Sequence, residues 1–183
     1  MTEFTKYLSL KLDSEKENLY VISDETGKRE LHSYNLENEN MVKVTNEKEN
    51  IKNYWFEDGG LLIAADFNGN EREQLMHFKN DGVKSLTSDD DYYHHYGVYM
   101  NGKFIFLRNH KNGKTFELVE VSKDGQKMLH SFETPVSIIG KFNDENILMS
   151  QAVNNIDKKI GLYNLEQNEL IDSSLPEGRF FFF

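Results

Sequence analysis

The chain has 183 residues, a formal net charge of −10 and no cysteine. That length suits one domain, the acidity argues against a nucleic-acid partner because phosphate binding needs concentrated Lys and Arg, and the missing thiols exclude disulfides and thiol chemistry. Apolar residues at 38% and aromatic residues at 13% are enough for a packed core, so the bulk of the chain is not of disordered composition.

The opening MTEFTKYLSLKLDSEKEN carries charges throughout and holds no signal-peptide core. No later run approaches the ~20 apolar residues that span a bilayer. The expectation is a cytoplasmic protein without a membrane partner. Along the chain, short apolar runs are punctuated by Asp58-Gly59, Asn68-Gly69, Asp81-Gly82, Asn101-Gly102, Asn112-Gly113 and Asp124-Gly125. Such pairs adopt the positive φ of tight hairpins at little cost, which points to antiparallel β-structure.

Four apolar runs, LYVI from Leu19, LLIA from Leu61, FIFL from Phe104 and ILMS from Ile147, start 42, 43 and 43 residues apart. Each is followed by a polar hairpin, a half-apolar strand, a second turn and a short closing strand. The tetrapeptide YNLE occurs at Tyr34–Glu37 and again at Tyr163–Glu166, 129 residues on. In the second unit the strands are expected near 53–57, 61–66, 72–79 and 83–87. A period of this length with four strands per unit predicts an all-β chain, a β-propeller of four-stranded antiparallel blades. The blades fall at 4–45, 53–87, 96–130 and 136–172 of a single domain, with 173–183 as the start of a fifth blade or a tail. A β-sandwich of hairpins is the competing architecture, and it gives no reason for a fixed period.

The order of apolar run, Ser-Asp, turn Gly, Leu-x-x-Tyr-x-Leu and closing Leu-Thr resembles the propeller repeats of the prolyl oligopeptidase family of serine peptidases. Its acylaminoacyl-peptidase and dipeptidyl-peptidase branch is the nearest in pattern, and TolB-type repeats share the grammar. The segments that carry the resemblance are NLYVISDETGKRELHSYNLENENMVKVT and LLIAADFNGNEREQLMHFKNDGVKSLT, the second with Asp66, Gly69, Asn70, Glu71 and Gln74. The family's frequent Ser-Pro-Asp-Gly turn is replaced here by FEDGG, YMNGK and FNDEN, and the fourth hairpin has Asn155-Ile156-Asp157 in place of Gly. The resemblance implies a propeller that caps a hydrolase domain and restricts access to peptides. None of the twelve serines lies in the Gly-x-Ser-x-Gly of a nucleophile elbow. The expectation is therefore a non-catalytic portion truncated before the hydrolase domain. Its partners would be a peptide substrate or that domain, and open blade edges offer self-association. A stand-alone TolB-like or WD-like peptide-binding propeller and the inactive product of a disrupted gene are the alternatives.

The densest chemistry is SDDDYYHHYG, residues 88–97. Adjacent His94 and His95 on an extended chain point to opposite faces and do not converge on one metal. No metal or cofactor is expected. The favoured reading is a solvated connector between the second and third blades. The alternative is a peptide or partner contact through Asp91, Tyr93, His94 and His95, joined by Arg108 as a bidentate partner for a carboxylate. For Arg108 itself the favoured role is a salt bridge at a hairpin end. Trp55, with Tyr54 and Phe56, reads as packing between blades.

Overall fold

The computed structural model describes residues 7–13, 17–45, 49–67, 69–79, 82–122 and 125–172. The tract 173–183, with its terminal phenylalanines, lies outside them, as do Asn68, Asp81 and Asp124 of the turn pairs.

Sixteen strands form four meanders, each antiparallel and in chain order. The first sheet is β1 (Tyr7–Asp13), β2 (Asn18–Ser23), β3 (Glu30–Asn35) and β4 (Met41–Lys43). The second is β5 (Glu49–Glu57), β6 (Gly60–Phe67), β7 (Gln74–Lys79) and β8 (Gly82–Ser85). The third is β9 (Tyr92–Met100), β10 (Lys103–His110), β11 (Phe116–Ser122) and β12 (Gly125–Phe132). The fourth is β13 (Val136–Lys141), β14 (Asn146–Ala152), β15 (Lys158–Asn164) and β16 (Glu169–Asp172). These are the four-stranded blades of a β-propeller fold. No helix among the described residues is long and apolar enough to cross a membrane.

The turns follow their residues. Asp58-Gly59 and Asn101-Gly102 both carry positive φ at each position, 52° and 63° in the first pair and 52° and 77° in the second. That is the two-residue turn whose twist matches its strands. The repeated YNLE is a capping device. Asn35 Oδ1 accepts from the N–H groups of Glu37 and Asn38 at 3.1 and 3.0 Å, and Asn164 Oδ1 accepts from Glu166 and Gln167 at 3.0 and 2.8 Å. Each asparagine also donates its Nδ2 back to the first residue of its sheet's second strand, Asn18 or Asn146, at 3.0 Å. The side chain thus fixes the third turn of its sheet, as Asx motifs do.

Every first strand carries one extra residue against its neighbour. Pairing skips Leu8 in β1, Lys52 in β5 and Ile139 in β13, and in β9 it passes from His94 to Gly97 across one fewer residue of β10. These are β-bulges, and each reverses which face the following residues present. The residue that resumes pairing is Ser9, Asn53, Gly97 or Gly140.

The chain divides into two compact units, Met1–Asp90 and Asp91–Phe183. In the first, Tyr20, Ile22 and Leu31 pack with Tyr54, Leu61 and Ile63. Tyr54 donates its hydroxyl to Tyr20 O at 2.8 Å, and Phe56 meets the Tyr20 ring edge-on at 6.0 Å. The packing role expected for the Trp55 neighbourhood is thus carried by Tyr54 and Phe56. Trp55 and Tyr54 also lie under the Lys11 ammonium, 5.8 and 4.7 Å from it. In the second unit, Val98, Ile105, Leu107 and Leu118 pack with Ile147, Met149 and Tyr163. Each fully buried side chain of this kind contributes about 1.5–3 kcal/mol.

Candidate functional site

The stretch 88–97 is not a connector over most of its length. Residues from Tyr92 onward lie in β9, so the third blade opens at Tyr92 rather than 96, and the second opens at Glu49 rather than 53. The physical reason is the aromatic content. Tyr92, Tyr93, Tyr96 and His94 suit a pleated, half-buried surface as well as any β-branched run does. Only 88–91 joins the sheets.

The histidines part as expected. His94 is fully buried while His95 is exposed. Register places His94 opposite Arg108, Tyr92 opposite His110 and Tyr93 opposite Asn109. The five candidates therefore fall on two faces and at one strand end, and they do not converge.

On the buried face, Arg108 Nε pairs with Glu117 Oε2 at 2.7 Å, and its Nη1 lies 3.5 Å from Gln126 Oε1. Its guanidinium lies 4.0 Å from the centre of the Tyr92 ring, a cation–π contact. Tyr92 meets His110 edge-on at 5.1 Å, and His94 meets Phe106 in the same way at 5.6 Å. Arg108 is thus held by a carboxylate and a ring, and the salt-bridge role favoured for it is the one seen. On the other face, His95 Nε2 is hydrogen bonded to Asn109 Oδ1, beside Tyr93. At the strand entrance Asp91 Oδ1 pairs with Lys111 Nζ at 2.5 Å, and Lys111 N donates to Asp91 O at 2.8 Å.

No group of three or more His, Asp or Glu side chains able to hold a metal exists among the described residues. Gly97 closes the buried side of the strand. A Cβ there would lie 2.5 Å from Ile105 O and 2.7 Å from Phe106 Cβ.

Sequence reasoning missed Tyr92, Asn109, Lys111 and Glu117. Glu117 was traceable in principle, since β11 alternates and an arginine on the facing strand needs an acid. Two cavities also escaped it. One, of about 520 Å³, lies on the third sheet beside Lys103, Glu120, Gln126 and Lys127. The other, of about 300 Å³, lies within the first unit beside Asp13, Tyr20, Ser33 and Phe78.

No family model matches the sequence, and no curated protein does. Solved structures do match by fold. One is from a study of two prolyl endopeptidases, at 9% identity and TM-score 0.67, covering 92% of this chain and 26% of that one. A Mycobacterium tuberculosis puromycin-hydrolyzing peptidase matches at 9% identity and TM-score 0.68, covering 94% of this chain and 32% of that one. TolB from Acinetobacter baumannii matches at 17% identity and TM-score 0.61, covering 93% and 45%. This chain therefore spans about a quarter to just under half the length of these proteins. The likeness is one of fold, with the propeller domains of prolyl endopeptidases and puromycin hydrolases and with TolB.

Proposed function

We propose that this chain is the non-catalytic propeller portion of a prolyl oligopeptidase-like serine peptidase, where it gates the access of peptides to a hydrolase domain. Alone it is inactive. The observation that carries this reading is the pattern of coverage. More than nine-tenths of this chain superposes on 26% of a prolyl endopeptidase and 32% of a puromycin-hydrolyzing peptidase. In the prolyl endopeptidases, inter-domain dynamics has a role in catalysis and specificity. The absence of Gly-x-Ser-x-Gly around any of the twelve serines fits a portion that leaves the chemistry to another domain. The test is hydrolysis of chromogenic acyl-aminoacyl and dipeptidyl substrates by the purified chain. No turnover above buffer is expected, and turnover that co-purifies with the chain overturns the reading.

The match to TolB favours a second reading, a stand-alone propeller that binds a peptide or protein. It predicts a monodisperse monomer with one cooperative melt. A broad, non-cooperative melt counts against it.

A further inference from the structure

Each closing strand is an edge of its sheet, and one of the four is far longer than the rest. β4, β8 and β16 have three, four and four residues, and β12 has eight. An edge strand turns one row of backbone N–H and C=O groups away from its sheet. Among the described residues, no backbone hydrogen bond beyond the ladder with β11 engages Lys127–Phe132. From Gly125 to Met128 the residues are exposed as well. A long edge of this kind, without proline, is a template for a further strand.

Register fixes what the edge presents. Lys127 lies opposite Glu120, and Met128 lies opposite Val119. Glu120 stands two residues from the core residue Leu118, so Lys127 belongs to the face that packs on the fourth sheet. Met128 stands on the other face and is 53% exposed. Glu120 gives its carboxylate to Lys103 at 3.0 Å. Among the described residues, no acid pairs with Lys127. The cavity of about 520 Å³ opens beside it, and its described lining sets Lys103 and Lys127 against the single acid Glu120. One positive charge is left over, on Lys127. A lysine on an edge and a bulge, here at Leu129, keep edges from pairing with copies of themselves. Two copies of β12 would bring a second Lys127 to the same short edge. A strand that carries a carboxylate meets no such obstacle, and the twist of the bulge limits it to a few residues.

We propose that β12 takes up a short extended peptide as a fifth strand of the third sheet. The peptide places an acidic side chain opposite Lys127, toward the cavity, and an apolar neighbour beside Met128 on the other face. Backbone bonds along the edge hold it, and the two side chains select it. The site lies in the second unit alone and does not rest on the peptidase reading, since a chain without hydrolase activity can bind at β12 or fail to.

The probe is acetyl-Thr-Val-Glu-Val-Thr-Ser-amide, titrated into the full chain and followed by NMR, with Gln or Lys in place of its Glu as controls. Saturation of the Glu peptide below about 1 mM is expected, with the Gln form about threefold weaker and the Lys form weaker still. Amide hydrogen exchange is expected to slow along Lys127–Phe132 and to stay as it is in β4, β8 and β16. Lys127→Glu, at an exposed position, is expected to invert the order of the Glu and Lys peptides. The milder Lys127→Gln is expected to erase the preference while the protein melts as the parent does. Failure of the Glu peptide to saturate overturns the proposal, as do equal binding of the Glu and Lys peptides, an unchanged order in the variants and protection outside β12. Exchange that slows with protein concentration in the absence of peptide assigns the edge to a second copy and overturns it too.

Discussion

The second and third sheets share one meander and close it in different ways. In the second, Thr87 lies just past β8 and its Oγ1 accepts from Leu75 N at 2.9 Å. The same hydroxyl donates to Gln74 Oε1 at 2.9 Å, and Gln74 holds the exiting chain through Asp89 N and Asp89 O at 3.1 and 3.0 Å. The first sheet repeats the first part of this, with Leu31 N donating to Thr45 Oγ1 at 3.2 Å. In the third sheet β12 continues to Phe132 through a second bulge, and His130 takes the exit. Its ring lies 4.5 Å from Phe132 and 5.7 Å from Tyr163. A short closing strand ends on a buried hydrogen-bond network, while a long one ends on rings. The threonine hydroxyl replaces a missing ladder partner, so losing it leaves the buried Leu75 N–H unmet. The histidine replaces nothing and adds packing surface.

The two sheets also differ after their first bulge. Asn53 resumes pairing opposite Ala64, and Gly97 does so opposite Phe106. At Gly97 an added Cβ would meet Ile105 O and the Cβ and Cα of Phe106, whereas position 53 already carries a side chain. Gly97→Ala is therefore expected to cost about 3 kcal/mol, at the upper end for overpacking, because the new Cβ meets backbone. Asn53→Ala on the exposed side of β5 is expected to cost under about 1 kcal/mol. Urea unfolding of both variants measures this, and equal losses would break the contrast between the sheets.

The closing devices give the next largest effect. Thr87→Val keeps shape but strands Leu75 N and leaves Gln74 Oε1 to Asp89 N alone, with about 2 kcal/mol of stability lost. His130→Thr removes ring contacts worth about 1 kcal/mol. Thermal melts would sharpen the comparison, and a larger loss at His130 would reverse it.

The smallest effect is one of pH. His77 in β7 is buried, and that burial lowers its proton affinity against a weaker opposing hydrogen bond to Glu57 O at 3.3 Å. The unfolded chain then binds the proton more readily. The neutral ring's contribution is complete above the free histidine value near 6.5 and is lost as pH falls below it, with a slope of less than one proton. His77→Gln is expected to flatten that part of the stability profile, and an unchanged slope would assign it to other groups.

The architecture was legible because the period of the apolar runs survives substitution. Leu19, Leu61, Phe104 and Ile147 recur whatever their neighbours are. The repeated YNLE pointed to equivalent positions, although its Asx-turn chemistry showed only once Asn35 and Asn164 had partners. What was not legible depends on register. A bulge leaves no mark in composition, so the switch of faces between His94 and Val98 could not be seen from their spacing. The polar look of SDDDYYHHYG hid a strand because its aspartates stand outside β9 and its tyrosines inside. Period-2 reasoning still placed the two histidines on opposite faces, and a choice among Arg108's partners needed only the facing strand. The cavity of the first unit lay beyond reach, since Asp13, Tyr20 and Ser33 belong to three strands and meet only through pairing.

The bulge that recurs in β1, β5, β9 and β13 also marks where the chain can be cut and rejoined. Each first strand presents one face before its extra residue and the other face after it, and all four make this exchange at corresponding points. A crossover between two of these points, which exchanges whole repeats, returns every later side chain to a face of the same kind. A crossover one residue off inverts the remainder of the strand and exposes what should be buried. The extra residue therefore acts as a splice junction, and it sets the length in which this fold can be duplicated, shortened or recombined.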